Sequence, residues 1–170
     1  MLPLKEMGSS QLMSADQIPC ARPESRPLVF VVDDEKVLLD LAETILTAAD
    51  CAVRTFPDAE SALAALIAGP ALPRLIITDF AMGRMTGMDL IRESKRIDPG
   101  QRTLLISGVM EEFVCRDSPV KADGFLPKPY GIAEFTTKVR ALLAGPHEAK
   151  NQPESGREVS AVRDRLSQKL

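Results

Sequence analysis

Cysteine is scarce in this chain and nowhere paired by spacing. Cys20, Cys51 and Cys115 are odd in number, far apart and form no CxxC. That argues against a disulfide framework or a zinc site and reads as reduced thiols of a cytosolic protein. The opening stretch MLPLKEMGSSQLMSADQIPC has no sustained apolar core, so no signal peptide is expected. No apolar run approaches the roughly 20 residues needed to span a bilayer. Basic clusters are also missing and the net charge is −3, which argues against gripping nucleic acid by charge. The one histidine, His147, lies in a polar C-terminal stretch. These absences predict a soluble, cytoplasmic chain with neither a membrane segment nor direct nucleic-acid contact.

What is present is a core and a rhythm. An apolar fraction of 45% over 170 residues suits one ordinary domain with tails. Residues 1–26 are polar and punctuated by Pro3, Pro19 and Pro23, and read as a disordered extension. Beyond Gly145-Pro146 the chain turns polar again; there Val159, Val162, Leu166 and Leu170 fall at helical spacing, marking a short amphipathic helix or a frayed tail.

Between the tails, strand and helix patterns alternate. PLVFVV (27–32) reads as a strand buried on both faces, and Leu38, Leu41 and Ile45, with Leu39, Ala42 and Leu46 beside them, mark a helix. AVRTF (52–56) is a second strand, and Asp58 caps a helical stripe of Ala59, Ala62, Leu63, Leu66 and Ile67 closed by Gly69-Pro70. LIIT (75–78) is a third strand, after which Thr86 to Asp89 has capping-box spacing and opens a helix through about Arg96. RTLLIS (102–107) is a fourth strand, Glu111 to Arg116 a short helix, and GFLP (124–127) a fifth strand. Ile132, Phe135, Val139, Leu142 and Leu143 mark the last helix.

Five βα units in series predict a doubly wound α/β fold: a five-stranded parallel sheet, flavodoxin-like order 2-1-3-4-5, over residues 27–145. In such a sheet ligands bind along the edge where the strands' carboxyl ends gather. The residues there are Asp33, Asp34 and Glu35 after the first strand and Asp79 after the third. Ser107 ends the fourth, and Lys128 follows the fifth. Crowded carboxylates repel unless a cation sits among them, and oxygen ligands without His or Cys suit Mg²⁺. A hydroxyl and an amine beside them suit phosphoryl oxygens, so the set resembles a phosphoryl-transfer site with Asp79 as nucleophile. The competing reading of Asp33, Asp34 and Glu35 is that they merely cap the helix that follows.

The strings VFVVDDE, LIITDFAMGRMTGMDL, LLISG and GFLPKPY are similar, in order and spacing, to the motif set of response-regulator receiver domains of two-component signalling, over residues 28–144. The resemblance implies that Asp79 is the phospho-acceptor and Asp34 a direct Mg²⁺ ligand, with Asp33 supporting the metal through water and the backbone carbonyl of Ala81 completing the ligands. It implies that Ser107 and Lys128 hold phosphoryl oxygens, that Ser107 and Phe125 act as the switch, and that the Lys128-Pro129 bond is cis. Gly83 stands where many relatives carry Pro, and Pro127 removes a backbone donor beside Lys128.

The expected function is therefore a stand-alone regulator. A sensor histidine kinase or histidine phosphotransfer protein donates a phosphoryl group to Asp79, and the change switches a protein-interaction face for a downstream protein target, as a monomer or a phosphorylation-dependent homodimer. A phosphorelay intermediate and a phosphate sink share that chemistry. In either case the chain is a signalling receiver that catalyses only its own phosphorylation and slow dephosphorylation. A haloacid-dehalogenase-type phosphatase also places Asp after a strand, but it wants a second Asp at the position of Ala81. A scaffold that uses phosphorylation little conflicts with the intact acids and Lys128.

Overall fold

The computed structural model describes residues 26–108 and 119–145. The expected N-terminal extension (all but Arg26), the Glu111–Arg116 helix and the C-terminal tail lie outside these residues. Five strands, β1 (Leu28–Val32), β2 (Ala52–Phe56), β3 (Leu75–Asp79), β4 (Thr103–Ser107) and β5 (Gly124–Pro127), form one sheet. Its order is β2-β1-β3-β4-β5 with every pairing parallel, as the alternation of elements predicts. Helices α1 (Lys36–Ala48), α2 (Ala59–Ala68), α3 (Gly87–Ile97) and α4 (Ile132–Ala144) are the crossovers and the closing element.

Alternation along the strands divides the core in two. Val29, Val31, Leu75, Ile77, Leu104, Ile106 and Leu126 face Leu39 and Leu46 of α1 and Phe135 and Val139 of α4. Phe30, Val32, Phe56 and Ile76 face Ala59, Ala62, Leu63 and Leu66 of α2 and Leu90 and Ile97 of α3. Burial on both faces is why these strands read as continuous apolar runs. The α1 stripe is wider than the core it serves. Leu39 and Leu46 are buried, but Leu41, expected on the apolar side, is 45% exposed.

The helix boundaries follow local chemistry. Asp58 accepts a hydrogen bond from the Ser61 N–H at 2.6 Å. Thr86 and Asp89 form a reciprocal capping box, with the Asp89 N–H donating to Thr86 Oγ1 and the Thr86 N–H to Asp89 Oδ2, each at 3.2 Å. At its end α1 turns through Asp50 at φ 63°, a left-handed position that Asp tolerates, while the Cys51 N–H reaches back to Leu46 O at 3.0 Å.

The amino edge of the sheet is tied to the helix ends beneath it. Arg102 Nη1 donates to Leu142 O at 2.8 Å and Arg74 Nη2 to Leu143 O at 3.2 Å, so two cations meet the carbonyls at the negative end of α4. Asp123 Oδ2 accepts from Lys95 Nζ, Thr103 N and Thr103 Oγ1 at 2.8–2.9 Å, joining α3, β4 and the approach to β5. Replacing Arg102 by Ala removes a charge-assisted bond, and a loss of about 1–2 kcal/mol is expected. Urea unfolding should show a lower midpoint at unchanged slope.

Candidate functional site

β3 carries its carboxylate to the carboxyl edge. Asp79 belongs to the strand itself rather than following it: it pairs with Ile106 in register, and the next N–H, of Phe80, still donates to Ile106 O at 2.9 Å. Only 5% of Asp79 is exposed. Desolvation of that order is tolerable only with partners, and it has two. Lys128 Nζ lies 2.6 Å from Oδ1, and the Ala81 N–H donates to Oδ2 at 3.0 Å.

Lys128 is placed by the neighbouring ladder. Its N–H donates to Ser107 O at 2.9 Å, extending the β4–β5 pairing by one step, and the Lys128-Pro129 peptide is cis as the family resemblance implies. Pro127, which cannot donate, is exposed on the edge strand opposite Ser107, where a proline is accommodated. Burial penalises the charge of Lys128, but the bond to Asp79 and the charges of Asp79 and Asp33 outweigh it and raise its pKa.

Asp33 follows β1 directly and is 5% exposed. Its Oδ1 accepts the Glu35 N–H at 2.8 Å, while Glu35, at the N-cap position of α1, makes no side-chain cap bond. These acids therefore do more than cap the helix: Asp33 turns into the edge, where burial raises its pKa. The Glu35 N–H and Lys128 oppose that shift, and Asp79 and Asp34 add to it. Asp34 itself is exposed. The structure thus gathers Asp34, Asp79 and Lys128 within electrostatic reach of Asp33.

Three further expected residues are Ser107, Phe125 and Ala81. Ser107 is fully buried, and its hydroxyl donates to Gly108 O at 3.2 Å. Half-buried Phe125 packs in a satellite cluster with Met88, Ile91 and Leu105. Ala81 is exposed. Among the described residues no group of three or more acid, His or Cys side chains is close enough to cage a metal ion. Asp33 is turned onto Glu35, and each oxygen of Asp79 already has a donor. A hard cation that keeps most of its waters needs only one or two carboxylates, so the oxygen-only set with its surplus of negative charge fits Mg²⁺.

Sequence reasoning missed two contributors. Tyr130 stands close enough for the site's charges to reach it: burial raises the pKa of its phenol, Lys128 opposes, and Asp33, Asp79 and Glu35 add to the rise. Its place two residues past Lys128 was the available signal. Gly87 is the other, because a Cβ there would collide with the Asp79 carbonyl oxygen, so α3 starts directly against the end of β3. In the loop between them Gly83 has φ +24°, which a proline ring cannot adopt.

A doubly wound parallel sheet with a buried, lysine-paired aspartate at its carboxyl edge defines a class, and comparison with known proteins identifies it. Residues 29–140 match the family model of the response regulator receiver domain, and the chain belongs to that family. It is 30% identical over 125 residues to the probable transcriptional regulatory protein TcrX of Mycobacterium tuberculosis, covering 72% of this chain and 52% of that protein. It is 33% identical over 70 residues to the sensor kinase CckA of Brucella abortus, covering 41% of this chain and 7% of that one. The chain spans about half the length of TcrX and of most other curated relatives it matches. Among solved structures, the receiver domain of NtrX from Brucella abortus aligns with a TM-score of 0.61 at 30% identity, over 69% of this chain and 99% of that one. A CheY-like receiver from Methanospirillum hungatei aligns with a TM-score of 0.63 at 21% identity, over 70% and 94%. Among the described residues no helix is long and apolar enough to cross a membrane.

The raised pKa of Asp33 has a thermodynamic consequence. Its folded-state value lies above the ordinary 3.8, so folding takes up a proton between those two pH values. Stability contributed by the protonated acid at low pH is lost as pH rises through the raised value. In chelator, Asp33→Asn should therefore be more stable than the parent at pH 7, and the difference should vanish below about pH 3.8. Urea titrations across that range provide the measurement.

Proposed function

We propose that this receiver accepts a phosphoryl group on Asp79 from a phosphohistidine of a sensor histidine kinase or a histidine phosphotransfer protein. The observation that carries the proposal is the buried Asp79 carboxylate held by Lys128 at 2.6 Å and by the Ala81 N–H at 3.0 Å, with Asp33 beside it. The two donors fix the carboxylate's orientation before a donor arrives, which is the geometric condition for in-line attack. A bond forms between an Asp79 oxygen and phosphorus as the bond from phosphorus to the imidazole nitrogen breaks. The products are an aspartyl phosphate and a histidine that can take up a proton.

Mg²⁺ held by Asp34, Asp79 and the Ala81 carbonyl, with Asp33 supporting it through water, would supply positive charge to the phosphoryl oxygens. Lys128, released from its direct pairing, offers its ammonium to one phosphoryl oxygen, and Ser107 rotates its hydroxyl from Gly108 O toward another. Movement of Ser107 would open space at the end of β4, which Phe125 on β5 can follow, altering the face that β5 and its neighbours present to a downstream protein target. Water attack on the acyl phosphate resets the site slowly, so the chain turns over only its own phosphorylation.

The relatives that match this chain are proteins of different kinds. TcrX is a probable transcriptional regulatory protein and CckA a sensor kinase. That range keeps a phosphorelay intermediate or a phosphate sink beside a regulator with its own protein target as forms of one proposal. Ala81, where a second acid would serve a haloacid-dehalogenase-type phosphatase, argues against that chemistry.

Asp79→Asn preserves size and removes the nucleophile, so transfer of labelled phosphate from a phosphorylated kinase should fall to background while the far-ultraviolet spectrum is unchanged. Chelation should reduce labelling of the parent in the same assay. Undiminished labelling of Asp79→Asn would overturn the proposal.

A further inference from the structure

A cleft of about 60 Å³ lies between α1 and α4, walled by Leu41, Ala42 and Ile45 on one side and by Tyr130, Ile132 and Phe135 on the other. It is apolar and open: Leu41 is 45% and Ile132 58% exposed. Its end nearest the carboxyl edge is acidic: Tyr130, which walls the cleft, lies within electrostatic reach of Asp33, Asp79 and Glu35, and Glu35 is exposed at the start of α1.

The chain carries a segment complementary to this cleft in both respects. Over residues 157–170, Val159, Val162, Leu166 and Leu170 are spaced by three, four and four, which puts them on one face at helical periodicity. At about 100° per residue, Arg163 borders that stripe on one side and Arg165 and Lys169 on the other, while Glu158 is the only bordering acid. Apolar residues would meet the cleft and bases its acidic end. The reach is sufficient. Gly145 closes α4, the cleft lies at the opposite end of that helix roughly 20 Å away, and residues 146–156 can extend over roughly 36 Å. Pro146, Pro153 and Gly156 suit that stretch to an extended path.

We propose that residues 157–170 seat the Val159, Val162, Leu166 and Leu170 stripe in the α1–α4 cleft of their own chain. A segment seated there lies against Tyr130, two residues from Lys128, and so borders the mouth of the acidic edge.

Hydrogen exchange of the full chain, read by mass spectrometry, tests this against Val162→Asp/Leu166→Asp, two changes in the C-terminal segment. Peptides covering residues 38–46 and 130–136 should exchange roughly ten-fold faster in the variant, with peptides from β3 and β4 unchanged as an internal control. Leu41→Asp, made in the cleft, should in turn speed exchange across 157–170. Equal exchange of the cleft peptides in parent and tail variant would overturn the proposal. So would protection that grows with protein concentration, which would assign the cleft to a second copy.

Discussion

The structure is organised around a pairing of opposite charges in a place hostile to charge. Asp79 sits at the end of a strand buried along its whole length, and Lys128 meets it from the far side of the sheet's edge at 2.6 Å. Asp79 would not be stable there alone: a carboxylate removed from water and left unpaired costs several kcal/mol. Much of the surrounding architecture serves to bring the two together. Parallel order places β5 beside β4 and β4 beside β3, and the Lys128 N–H extends the β4–β5 ladder so that its side chain turns back over Asp79. The same pairing leaves negative charge over. Asp33 and Asp34 remain, and Asp33 responds by holding its proton more tightly than an exposed acid does.

The fold was legible because its signals are local and repeated. The apolar runs at Val29–Val32 and Leu75–Ile77, the Asp58 cap and the Thr86–Asp89 capping box each specify one element, and the alternation of strand and helix specifies a parallel sheet. Much of the candidate site was legible for the same reason: strand ends gather on one edge, so residues that end strands become neighbours. What could not be read was orientation. Leu41 belongs to an apolar stripe by spacing yet points largely to water, because period alone does not say how wide the core is. Ser107 ends β4 as expected, but its hydroxyl settles on the adjacent carbonyl of Gly108, a choice made by side-chain rotation. The role of Gly87 depends on how closely α3 approaches Asp79, a packing distance with no sequence period.

The loop that follows Asp79 alternates exposed and fastened positions. The residues after Asp79 run through exposed Ala81 and Gly83, with Gly83 at a positive φ, before Gly87 locks the chain again with its N–H on Phe80 O at 3.0 Å. Met82 is buried in this loop and fastens it to the cluster beneath α2 and α3. The loop is thus held at both ends and at one point in the middle.

The ties along the amino edge give the sheet a mechanical polarity. Arg74 and Arg102 hold the last carbonyls of α4, Asp123 binds α3 and β4 to the start of β5, and Gln101 bridges to Pro73 at 3.0 Å. At the opposite edge the backbone ladder runs one step past the strands, with the Phe80 N–H on Ile106 O and the Lys128 N–H on Ser107 O, and the side chains add the Lys128–Asp79 ion pair. The Asp79–Lys128 pair thus ties the carboxyl ends of β3 and β5 across β4 by charge, while the ties at the amino edge fasten the same strands to the helices.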